Sequence, residues 1–102
     1  MRYLETWVDL PKIGCGVRHA FVVKEAKAGV RLFFPATCRA YTVPAKAIDK
    51  AKDITPTTRK EAARLAALIR DTHKARKRQH VKVNLAEARA VMADLAKVGR
   101  AA

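Results

Sequence analysis

Residues 57–79, TTRKEAARLAALIRDTHKARKRQ, read as one long helix with two chemically opposite faces. With Arg59 at zero and about 100° per residue, Ala62, Leu65, Ala66, Ile69 and His73 fall between roughly 240° and 340°. Arg59, Lys60, Arg64, Arg70, Lys74, Lys77 and Arg78 fall between roughly 0° and 140°, and only Asp71 interrupts that basic sector. A helix over this stretch is about 34 Å long. Its period, set against the alternation that precedes it, divides the chain into a β-rich half and a helical half.

Upstream, Thr55-Pro56 marks the boundary, because proline disfavours a helical residue before it and suits the first turn after it. Thr58 with Glu61 has capping-box spacing, and Thr55 and Thr57 are rival caps. Downstream, Arg76 falls in the apolar sector, so the helix is expected to fray near 77–80 and its 74–82 end to project. Val81–Val83 reads as an extended connector. Asn84 and Glu87 have the spacing to cap a second helix, on which Leu85, Ala88, Val91, Met92, Leu95 and Val98 share a face. Gly99 is its expected stop.

The first half alternates with period two. Arg2–Leu10 reads as a strand with Leu4, Val8 and Leu10 on one side and Tyr3 and Trp7 on the other. Pro11–Gly16 reads as a turn. Val17–Ala26 and Val30–Phe34 form a hairpin around Lys27-Ala28-Gly29, and Thr37–Val43 is a fourth strand. After Pro44, residues 45–53 favour a helical turn anchored by Ile48. The fold class is therefore α+β, with an N-terminal four- to five-stranded antiparallel sheet or small SH3-like barrel followed by two C-terminal helices. Residues 1–54 are the β-rich part and 55–102 the two-helix segment of a single domain.

The formal net charge is +13 in 102 residues. Residues 59–82 carry nine Lys/Arg against Glu61 and Asp71, so over half of the excess lies in a quarter of the chain. Charge of this density draws polyanions, and its placement on one helical edge suits phosphates. The candidate nucleic-acid-binding residues are Arg59, Lys60, Arg64, Arg70, Lys74, Lys77 and Arg78, with Arg39 and Lys82 assisting. The plain alternative is a solvated face that keeps the protein soluble. DNA is slightly favoured over RNA, since a rigid basic helix fits a major groove. Gln79 and Asn84 are candidate adenine readers, though each is more simply a helix-end residue.

A second candidate surface sets Arg18, Arg31, Arg39 and Tyr41 on one face of the sheet, an arrangement suited to stacking single-stranded bases. Cys15, His19 and Cys38 carry zinc-ligand chemistry, but the spacing matches no common knuckle and no C-x2-C is present, so no metal is expected. No P-loop, nucleophile motif or Gly-rich phosphate loop appears, so no cofactor is expected and the chain does not read as an enzyme. A ribonuclease-type toxin using His19, Glu25 and Arg39 is one alternative. An inhibitor or adaptor that docks its basic face on an acidic protein is another. The Leu85, Val91, Met92, Leu95 face serves either the core or a homodimer.

The start, MRYLETWVDL, has no signal-like apolar run, and no stretch reaches the roughly 18 apolar residues needed to span a bilayer. The basic helix lacks aromatic anchors for a membrane surface. The chain reads as cytoplasmic, with both thiols free.

Overall fold

A computed structural model of the chain describes residues 1–98. Five strands come first: β1 (Tyr3–Leu10), β2 (Gly14–Ala26), β3 (Gly29–Phe34), β4 (Arg39–Val43) and the two-residue β5 (Lys52–Asp53). A 3-10 turn (Ala45–Ile48) separates β4 from β5, and α1 (Arg59–Arg78) and α2 (Leu85–Leu95) follow. The sheet is antiparallel, in the order β4-β3-β2-β1-β5. Among the described residues no pairing joins β4 to β5, so the sheet is open and the barrel expected as its alternative is not closed.

The strand alternation holds, and both faces of the sheet are apolar. On the helix side Tyr3, Phe21, Phe33, Cys38 and Ala40 pack with Ala62, Ile69, Ala88, Val91 and Leu95. Tyr3 stacks on Phe21 with ring centroids 4.2 Å apart. On the far side Leu4, Val8, Leu10, Ala20, Val22, Val30, Leu32, Phe34 and Val43 form a second cluster, partly covered by Ala47 and Ile48 of the 3-10 turn. Ile48 is thus the anchor its position implied. The Thr6 hydroxyl donates to the Ala47 carbonyl at 2.8 Å, which satisfies a buried polar group and fixes the turn on β1.

The starts of β2 and β4 differ from the sequence reading, each for a local reason. β2 begins at Gly14 because the turn after Leu10 is confined to residues 11–13, where Lys12 takes a left-handed φ of 64°. Leu10 then pairs directly with Gly14. β4 begins at Arg39 because residues 35–38 turn, with Cys38 at φ 52°. A β-bulge between Val22 and Lys24 shifts the β2–β3 register.

Helix α1 starts where its cap pattern places it. The Thr58 hydroxyl accepts from the Glu61 N–H at 3.2 Å, and the Glu61 carboxylate accepts from the Thr57 N–H. Its other end is closed by hydrogen bonds where fraying was expected. Gln79 caps the helix, His80 is left-handed at φ 57°, the His80 N–H donates to the Lys77 carbonyl, and the Val81 N–H donates to the Arg76 carbonyl. That pair of bonds is a Schellman motif, built here on histidine instead of glycine. The expected projecting 74–82 segment is therefore a closed helix end and a short connector.

The connector is then pinned to the sheet. The Asn84 N–H donates to the Cys38 carbonyl at 2.8 Å. Its side-chain oxygen accepts from the Ala40 N–H instead of capping α2. Glu87, its expected capping partner, sits 3.5 Å from Arg31. Helix α2 ends at Leu95 with Ala96 as its C-cap, ahead of the expected Gly99 stop, which lies outside the described residues. No helix among the described residues is long and apolar enough to cross a membrane.

Candidate nucleic-acid interface

Burial of Ala62 and Ile69 fixes the rotation of α1 on the sheet. Every cation in the 0–140° sector consequently points away from the core. Arg59, Lys60, Arg64, Arg70, Lys74, Lys77 and Arg78 are all exposed. None has a carboxylate within ion-pair distance among the described residues, Asp71 included. Among the described residues, the only side-chain hydrogen bond from this set runs from Arg78 Nε to the Lys74 carbonyl. Seven unneutralised positive charges therefore line a rod of about 30 Å.

The face has internal structure. Arg59 and Arg70 border a shallow groove between α1 and α2, floored by Ala62, Ala66, Met92 and Leu95. Farther along the same seam, Lys77, His73 and His80 face Arg89 of α2 across a second depression. Lys60, Arg64, Lys74 and Arg78 lie farther out on the helix. Three cations of the last turn, Arg76, Lys77 and Arg78, also oppose the negative end of the helix dipole, which is the plain structural use for them. Arg76 is half-buried in the apolar sector, where its charge acts on the Cys38 thiol.

Lys82 is exposed on the connector next to this end. Arg39 is not brought to the face. It pairs with Phe34 in the β3–β4 register, on the far side of the sheet, and its guanidinium sits over the Tyr41 ring at 5.6 Å. Arg89 is the cation that the sequence reading missed. It borders the apolar stripe of α2 beside Leu85, but one arginine on a short, mostly neutral helix gives no pattern until α2 docks beside α1.

The second surface is dispersed. Arg31 turns to the helix side and meets Glu87, whereas Arg39 and Tyr41 face the other way. Tyr41 is half-buried against Phe34. Cys15, His19 and Cys38 are also apart. Cys15 and His19 lie exposed on β2, and His19 meets Glu5 at 3.1 Å. Cys38 is fully buried, with its thiol donating to the Ile69 carbonyl at 3.4 Å. His19 and Glu25 are separated by about 20 Å along β2, at 3.3 Å per residue, and Glu25 is paired with Arg2. The Asn84 side-chain oxygen and backbone N–H bond the β4 edge, while Gln79 stays exposed at the helix end. Val91 and Leu95 are buried in the core of the chain itself, Met92 is half-buried and Leu85 is exposed.

No protein-family model matches the chain, and no curated protein or solved structure matches it either.

Proposed function

We propose that this chain is a small cytoplasmic nucleic-acid-binding protein that grips the phosphate backbone, of duplex DNA in preference to RNA, through the outer face of α1. The observation that carries the reading is the set of seven exposed cations on α1 with no carboxylate partner among the described residues. Holding such charges together is costly unless a polyanion neutralises them, and phosphate contact releases condensed counterions. Lys82 and Arg89 extend the face, and the reading does not rest on Arg39.

The capped helix presents its charges without the ordering cost of a frayed segment. Nothing on the face converges on a base edge, so binding is expected to be backbone-directed and weakly selective for sequence. The test is an anisotropy titration of a fluorescent DNA duplex of arbitrary sequence, beside an RNA hairpin of equal charge. Reversal of two charges, Arg70→Glu with Lys74→Glu, is expected to weaken duplex binding by at least about tenfold at moderate salt. Unchanged affinity in that variant would overturn the reading.

A further inference from the structure

Parts of the sheet's edges are covered. Asn84 hydrogen-bonds Cys38 and Ala40 along β4, while β5 and the 3-10 turn flank β1. On β2, however, pairing with β3 begins at Phe21, and Gly14–Ala20 pair with β1 alone. The chain turns away after Phe34, whose carbonyl accepts from the Thr37 N–H. The Val22 N–H donates to the Arg2 carbonyl, so the even-numbered residues of β2 bond towards β1. Strict alternation then turns the N–H and C=O groups of Cys15, Val17 and His19 outward. Among the described residues nothing fills this ladder, and no lysine or proline on residues 14–20 blunts it.

The space into which β3 would have continued is a groove of about 300 Å³. Its walls are largely apolar, including Leu10, Ile13, Phe34, Pro35 and Leu68. Val17, Ile13 and Leu68 are 65%, 47% and 42% exposed around it. Among the described residues no carboxylate lines it, and its one permanent cation is Arg18. Arg18 donates through one terminal nitrogen to the Gly14 carbonyl at 3.2 Å. Its Nε is buried and has no acceptor. A guanidinium with an unused donor beside an apolar groove matches a carboxylate, which it can hold bidentately after leaving Gly14.

We propose that the free edge of β2 at residues 14–20 binds an extended acidic segment of a partner protein by strand addition. Outward backbone groups recognise another polypeptide backbone, the groove accepts an apolar side chain, and Arg18 takes the carboxylate. A second copy of the chain fits poorly, because it would set Arg18 near its own kind and bring +13 against +13. Nucleic acid has no backbone ladder to offer. The surface contains none of the α1 cations, so it stands independently of the phosphate-binding face.

The test uses the full chain and a short fluorescent peptide of alternating valine and glutamate, with the same peptide N-methylated on alternate residues and a valine–lysine version as controls. Amide hydrogen exchange is expected to slow by at least about tenfold at Cys15, Val17 and His19 on binding, and to stay unchanged at Gly16 and Arg18, which already bond to β1. N-methylation is expected to weaken binding by at least about tenfold, the weight of a lost hydrogen bond or two. Val17→Pro removes one outward N–H at a position where an edge strand tolerates proline, and Arg18→Gln removes the charge and leaves the ladder intact; each is expected to weaken binding by about tenfold. Equal binding of the N-methylated peptide would overturn the proposal. So would protection of the three amides that rises with protein concentration in the absence of peptide, or that appears with duplex DNA but not with peptide.

Discussion

The Ala40 N–H donates a 2.9 Å hydrogen bond to the side-chain oxygen of Asn84. With the Asn84 N–H donating to the Cys38 carbonyl, one residue covers the start of the β4 edge and sets where α2 begins. Asn84→Ala leaves a partly buried N–H without a partner and is expected to destabilise the fold by about 1–3 kcal/mol. Asn84→Asp keeps an acceptor and should stay near wild type. The urea midpoints of the two variants check this, and an unperturbed alanine variant would contradict it.

The Schellman end of α1 places His80 at φ 57°, a conformation that costs a residue bearing Cβ about 1–2 kcal/mol. Glycine removes that cost and adds flexibility to the unfolded chain. His80→Gly is therefore expected to stabilise by about 0.5–1 kcal/mol, read as a rise in Tm. A fall in Tm would show that the His80 side chain contributes more than its backbone costs.

The two thiols should behave differently. Burial raises the Cys38 thiol pKa, and the side chain is inaccessible. Cys38 is expected to resist alkylation until the protein unfolds. Cys15 is exposed, and its thiol is also raised, first by local desolvation and then by the carboxylate of Asp9. Asp9→Asn lowers that pKa towards its ordinary value, so more thiolate is present near neutral pH. Alkylation of Cys15 should then be faster, as followed by mass spectrometry.

Thr55 ties the start of the helical segment to β1 and to Asp53. Its hydroxyl accepts from the Tyr3 N–H at 2.9 Å and donates to the Asp53 carboxylate at 2.6 Å. The Thr55 hydroxyl and N–H together hold the Asp53 pKa below its usual value. A depressed folded-state pKa contributes stability above the unfolded value, and that contribution is lost as pH falls through the folded value. Thr55→Ala should raise the Asp53 pKa in an NMR titration and shrink the acid-dependent part of stability. An unmoved titration would refute the assignment.

The strands, their faces and the rotation of α1 were legible because period-two and 3.6-residue patterns follow directly from backbone geometry, whereas the order of the strands in the sheet was not. The edges were not. Gly14–Gly16 read as a turn because glycine is ambiguous between turn and strand, and only the Leu10–Gly14 pairing resolves it. Asn84 read as a helix cap because the local pattern is identical whether its side chain bonds forward to α2 or sideways to β4. Arg39 joins the basic surface by residue type alone, whereas the β3–β4 register places it on the opposite side of the sheet. Arg89 acquires meaning only when the two helices pack side by side.

The central claim, that the outer face of α1 binds phosphate backbone, is tested most directly by the slope of log affinity against log salt for a DNA duplex. With about five of the α1 cations reaching phosphates, the slope should be about −4.5, and Arg70→Glu with Lys74→Glu should reduce its magnitude by about 2. A wild-type slope near zero, or the same slope in the double variant, would contradict the account.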